Sequence, residues 1–211
     1  MGHLRYSLSN IDEVYSLIDS TDVTILSGEK ASENRVKIQM QDSMNVIVFE
    51  THGLFLDDCK TPGTRGIEDP MENHVLALAG ASYVLEGGIV PDSIDDGILT
   101  AREISELDLS HVDLAVVSAC KSALGEIRDD GVYGLMRGFK QAGVKSLIMA
   151  TDDILDYVAG QLWIQLFRNL SKGMTKREAL LEGLKYIRTM DEGAFSHPKY
   201  WTPFILIDGM E

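Results

Sequence analysis

The chain has 211 residues, 45% of them hydrophobic, and sets 19 Lys plus Arg against 33 Asp plus Glu for a formal charge of −14. That length supports one compact domain with a sizeable core, spanning residues 1–211, and an acidic chain without a basic stripe excludes nucleic acid as a natural partner. No apolar run approaches the roughly 18 residues needed to span a bilayer, and MGHLRYSLSN lacks the apolar centre of a secretory signal, so the expectation is a cytoplasmic protein with no membrane partner.

Taken in chain order, Asn10 and Glu13 cap a helix with Ile11, Val14 and Ile18 on one face, and VTIL at 23–26 follows as a short strand. SGEKASENRVKIQM reads as one helix. The unbroken apolar run NVIVF then reads as a central strand buried on both faces, leading through ETHG to His52. From Leu54 to Gly97 the pattern loosens into a Pro- and Gly-bearing insertion, with a short strand or two in ENHVLALAGASYVL. An irregular stretch directly after such a strand is either a substrate or regulatory insertion or a plain surface excursion.

Regular structure returns with Thr100 and Glu103 capping AREISEL, then the strand DLAVVS, which runs into Cys120. KSALGEIRDDG reads as a loop. A helix faced by Val132, Leu135, Met136 and Phe139 is closed by Gly143, and the strand SLIMA follows. Two more helices cover 154–170 and 175–190, the second opened by a Thr175/Glu178 capping box, before a last buried strand, PFILI. Strands alternating with helices predict an α/β fold with a mostly parallel central sheet.

In such sheets reactive groups collect outside the carboxyl ends of the strands, so His52 and Cys120 are placed to face each other across one crevice. Only two cysteines, Cys59 and Cys120, occur in a chain that needs no staples, so Cys120 is expected as a free thiol. His3, His52, His74, His111 and His197 are scattered without a ligand spacing, and neither a metal nor a cofactor is expected. A thiol becomes a competent nucleophile when an imidazole stands beside it. Main-chain N–H groups of Cys120 and Gly53 would stabilise an oxyanion, and a glycine directly after the histidine lets a carbonyl approach the backbone. A cysteine after an apolar strand is more often an inert core residue, and a strand-end histidine more often a structural one; their joint occurrence at two strand ends, each followed by a flexible segment, strengthens the catalytic reading without deciding it. Glu50, two residues before His52, shares its face if the strand stays regular and would then orient the imidazole or serve as a rim carboxylate.

DGILTAREISELDLSHVDLAVVSAC, GEIRDDGVYGLMRGFKQAGVKSLIMA and HPKYWTPFILI resemble the CHAT domain, a caspase-like cysteine peptidase family often fused to tetratricopeptide repeats, from about Leu8 to Asp208 with THG and SAC in the family's order. The resemblance implies a caspase-like three-layer α/β/α sandwich and no cofactor. It also implies an endopeptidase that cuts a protein or peptide substrate with a His52–Cys120 dyad in a regulated bacterial signalling or defence pathway, with Gly53 as an oxyanion donor. A tetratricopeptide-repeat or other sensor module is the implied partner, and the chain is either a naturally short protein or a fragment. The rival is a catalytically silent caspase-like scaffold; a hydrolase of small amides or esters is a third reading.

Two departures from the family pattern stand out. Where members carry Ser-Leu-Trp after the SLIMA-type strand, this chain has Ala150-Thr151-Asp152-Asp153-Ile154-Leu155-Asp156. Asp152, Asp153 or Asp156 would line the first specificity pocket and favour a basic residue through charge-assisted hydrogen bonds, or would cap the helix that follows. Met71-Glu72-Asn73-His74-Val75 replaces the family's Leu-Arg-Ser-Gly, with His74 expected to be exposed. Tyr200 and Trp201 are expected to pack at the core or rim without chemistry.

Overall fold

The computed structural model describes residues 23–56, 69–91, 95–120, 122–128 and 131–208. The expected helix beginning at Asn10 and the thiol of Cys59 lie outside them. The chain divides into two compact units, residues 26–152 with 207–211, and residues 1–25 with 153–206.

Residues 23–26 form no strand. The long helix expected after them is instead a 3-10 turn, Gly28–Lys30, and a helix, α1 (Glu33–Met40), because Ser32 between them adopts extended backbone (φ −68°, ψ 150°). Strand β1 (Val46–Glu50) stops at Glu50; Thr51 is a bend, and His52 opens a separate strand, β2 (His52–Phe55). Sequence reading had joined these into one central strand buried on both faces. β1 is in fact the outermost strand of its sheet, with Val46 and Val48 still 41% and 42% exposed while Ile47 and Phe49 are buried. An apolar run cannot tell these two cases apart, since its side chains alternate faces either way.

Next come α2 (Pro70–Asn73), β3 (His74–Ala77), α3 (Ala81–Leu85) and β4 (Ile98–Thr100). Asp69 caps α2 by accepting the N–H of Met71 at 2.9 Å, and Pro70 needs no such partner. β2, β3 and β4 form an antiparallel sheet, with His52 opposite Ala77 and Leu76 opposite Leu99. Much of the stretch read as a loose insertion therefore has its own small core, Val75, Ala77, Ala81 and Ile98, with Leu54, Leu56, Val84 and Leu85 against it.

β4 runs directly into α4 (Ala101–Ser105), which begins at the expected capping box: the Thr100 hydroxyl accepts the Glu103 N–H, and the Glu103 carboxylate accepts the Thr100 N–H. β5 (Leu114–Ser118) is buried at every position, as its continuous apolar sequence predicts. The expected loop after Cys120 contains a two-stranded hairpin, β6 (Glu126–Arg128) and β7 (Gly131–Tyr133). Helix α5 (Leu135–Gln141) then leads to β8 (Ser146–Ala150), again wholly buried. α5 sits close to α4, for a Cβ on Gly138 would lie 2.5 Å from the Ala101 carbonyl oxygen. β1, β5 and β8 pair in parallel, Glu50 opposite Ser118 and Val117 opposite Met149, giving the α/β class and mostly parallel main sheet read from sequence. Leu147, Ile148 and Met149 are fully buried, each stabilising the fold by about 2 kcal/mol through the area it removes from water.

A charged tie links α1 to α4. Lys37 Nζ donates to Glu33 at 2.5 Å and to Glu103 at 2.7 Å. Glu33 is only 5% exposed and its Oε2 has no partner among the described residues. Burial raises its carboxyl to about 7, against the lowering effect of the Lys37 hydrogen bond. At Glu103 burial also raises, but hydrogen bonds from Lys37 and Thr100 outweigh it and hold the carboxyl below its ordinary value.

The other unit contains α6 (Asp156–Ser171) and α7 (Lys176–Thr189), the latter opened by the expected Thr175/Glu178 box. Strand β9 (Phe204–Asp208) ends the described chain, and its Phe204 ring meets Trp163 edge-on at 5.4 Å. Among the described residues no helix is long and apolar enough to cross a membrane.

Candidate active site

Parallel pairing in register aligns the carboxyl ends of β1, β5 and β8 along one rim. His52 stands two residues beyond Glu50 and Cys120 two residues beyond Ser118, and Glu50 and Ser118 are register partners. The bend at Thr51 carries the chain out of the parallel sheet while keeping it against β5, since the Thr51 N–H donates to the Ser118 carbonyl at 3.4 Å. The Thr51 hydroxyl donates to the Ala77 carbonyl on β3. One residue thus ties the end of β1 to both sheets, immediately before the histidine.

Gly53 fixes the approach. A Cβ built there would stand 2.8 Å from the Cys120 carbonyl oxygen and 3.1 Å from the Ala119 Cβ. Any side chain at 53 would push β2 away from the turn that carries Cys120. Sequence reading attributed this glycine to a substrate carbonyl; the group that comes this close is the carbonyl of Cys120 itself. His52 is partly exposed, and Cys120 is a free, partly exposed thiol.

Beyond β5 the chain turns sharply, with the Ser122 N–H donating to the Ala119 carbonyl at 3.2 Å. Ser122 is 1% exposed. Its hydroxyl donates to the Val117 carbonyl at 3.1 Å and accepts the Ala150 N–H at 3.1 Å. The next residue, Ala123, donates its N–H to the Ala150 carbonyl at 2.8 Å. Neither Ser122 nor Thr51 was identified from sequence, where small hydroxyl residues next to turns carry no distinguishing signal.

Several expectations change. Glu50 ends β1, partly buried, but the break at Thr51 removes the regular alternation that would have put it on the face of His52. Asp152 lies exposed in the bend two residues past β8, on the same rim as Cys120; Asp153 is exposed in the next position. Asp156 is the first residue of α6, which has Leu155 as its N-cap residue without a side-chain cap; its carboxylate complements the positive end of the helix. His74, expected to be exposed, is 9% exposed, its ring 4.7 Å from Phe55 and in the path of any Cβ on Gly134. Burial depresses its basicity, partly countered by the charge of Glu126. Trp201 packs under Arg188 at 4.9 Å and donates its indole N–H to the Ser196 carbonyl, and Tyr200 meets Phe195 edge-on at 5.2 Å, rim packing as read from sequence.

Residues 1–209 match the family described as the CHAT domain. The chain is similar to tetratricopeptide repeat protein 28 of Mus musculus, 32% identical over 212 residues that cover 93% of this chain and 8% of that protein. Over 111 residues, 52% of this chain and 4% of the relative, it is 31% identical to tetratricopeptide repeat protein 28 of Homo sapiens. The chain therefore spans a small fraction of the curated relatives it matches.

Proposed function

The chain belongs to the CHAT-domain family, a caspase-like peptidase family, and from that premise we propose that it is a cysteine endopeptidase in which Cys120 is the nucleophile and His52 the acid–base partner. The observation that supports this best is the Gly53 contact, which brings the residue next to the histidine against the main chain of the cysteine. His52 takes the thiol proton, and the thiolate attacks the scissile carbonyl carbon. Main-chain N–H groups at Cys120 and Gly53 hold the oxyanion. As the tetrahedral adduct collapses, the imidazolium gives its proton to the leaving amine, and water, deprotonated by the same imidazole, releases the acyl group from sulfur.

Asp152, exposed on the shared rim, favours substrates with Lys or Arg before the cut bond, because a carboxylate there makes charge-assisted hydrogen bonds to a cation. The repeat-bearing relatives support a repeat module as the natural companion of this domain. The test is cleavage of a positional peptide library. The expected result is cutting after basic residues, lost with Cys120→Ala and shifted toward neutral residues with Asp152→Asn. Failure to cut any member, together with failure to react with peptidyl electrophiles, would favour a silent interaction module.

A further inference from the structure

We infer that Ser122 is a positioning residue for the nucleophile, a buried hydroxyl that joins the turn after β5 to both β5 and β8 where the chain leaves the sheet to present Cys120. The inference rests on the reading of Cys120 as the nucleophile.

The parallel ladder between β5 and β8 ends at Val117 and Met149. One residue further, the main-chain N–H and carbonyl of Ala150 lie in the buried interior of the unit. The turn reaches both: Ser122 Oγ accepts the N–H at 3.1 Å, and the Ala123 N–H donates to the carbonyl at 2.8 Å. The same hydroxyl donates to the Val117 carbonyl at 3.1 Å, the last β5 residue in register with β8. A hydroxyl is the smallest side chain that accepts from one strand and donates to the other at once. Alanine does neither, so both buried hydrogen bonds that join the turn to β5 and β8 are lost.

The consequence reaches the reacting atom. Cys120 lies inside the turn that the Ser122 N–H closes on Ala119, and its carbonyl oxygen is the surface against which Gly53, and so His52, is seated. Anchoring the turn to β8 fixes the height of the sulfur above the rim relative to the imidazole. A shift of about 1 Å at such a point lowers the rate of the chemical step up to about a hundredfold while substrate affinity is untouched.

The test uses the full chain and a peptidyl acyloxymethyl ketone with lysine next to the reactive group, read as separate kinact and KI values. Ser122→Ala is expected to lower kinact by about ten- to a hundredfold with KI changed less than about threefold, and Ser122→Thr, which keeps the hydroxyl, to recover kinact. A merely structural role would leave kinact of the folded fraction unchanged, and that result would overturn the inference. His52→Ala and Cys120→Ala are run alongside. If they too react like wild type, the dyad reading fails; if they lose reaction while Ser122→Ala keeps it, only the Ser122 inference fails. Should Ser122→Ala not fold, amide hydrogen exchange of the wild-type chain decides. Slow exchange at Ala150 and Ala123, matching the β8 interior, supports the clamp, and exchange as fast as at exposed turns overturns it.

Discussion

The turn that carries Cys120 and the strand that carries His52 meet at one rim, yet they are held in different ways. The cysteine turn grows out of a parallel sheet whose two inner strands are buried along their whole length, and it is tied back to that sheet by the two-sided hydroxyl of Ser122 and by the Ala123 amide. The histidine strand belongs to a smaller antiparallel sheet over a modest core, and all four of its residues are only partly buried. Among its links to the cysteine side are the bend at Thr51 and the bare backbone of Gly53. Cys120 is thus carried on a turn tied into a buried sheet, whereas His52 is carried on a strand that is only partly buried.

Removing either partner makes the two sides equal and gives the largest effect. Cys120→Ala and His52→Ala each lower hydrolysis of the best library peptide by about 10³-fold or more, and the double variant is no worse than Cys120→Ala alone, because the pair acts as a unit. Steady-state kinetics on the four proteins check this. Next comes the shared contact: Gly53→Ala places a methyl 2.8 Å from the Cys120 carbonyl, so activity falls roughly ten- to a hundredfold. Overpacking also lowers stability by about 1–3 kcal/mol, read by urea denaturation. Retention of full activity by this variant would separate the two sides.

On the histidine side alone, Thr51→Val keeps the shape but loses the hydroxyl that donates to Ala77. The Ala77 carbonyl loses that donor, destabilising by about 1 kcal/mol, and faster amide exchange is expected in β2 and β3 than in β5 and β8. The last effect lies away from the site, at the Glu33–Lys37–Glu103 tie. Glu33 has its carboxyl raised from 4.5 to about 7 in the folded chain. The folded state therefore holds a proton that the unfolded state has lost, and this group makes stability fall as pH rises from about 4.5 to about 7. Glu103, held below its ordinary value, acts in the opposite sense: its contribution is present above 4.5 and is lost as pH falls. Glu33→Gln removes the first slope, so the variant matches wild type near pH 5 and exceeds it by about 1–2 kcal/mol near pH 8, measured by denaturation at both values.

Locally determined features were legible in the sequence. The apolar runs LAVVS and SLIMA are buried strands, and the capping boxes at Thr100/Glu103 and Thr175/Glu178 open helices, because each depends on neighbours a few residues away. The order of THG and SAC along the chain was enough to select His52 and Cys120 as candidates. What depended on distant partners was hidden. The break at Thr51 exists because β2 finds β3, 19 residues beyond the end of β2 by sequence number. His74 is buried because Phe55 and the turn at Gly134 close over it, although the polar pair Glu72-Asn73 comes just before it. Residues 126–133 carry charge and glycine in the pattern of a loop, yet they pair as a hairpin. Ser122 looks like any turn serine until the end of β8 is seen to need it.

The central claim is that the sulfur of Cys120 and the imidazole of His52 work on one carbonyl. Its most direct measurement is the intact mass of wild type, Cys120→Ala and His52→Ala after reaction with a peptidyl acyloxymethyl ketone, with the label mapped to a residue. The account predicts one adduct on wild-type Cys120, none with Cys120→Ala and at most a trace with His52→Ala. Equal labelling of all three proteins, or a label that maps to Cys59, would contradict it.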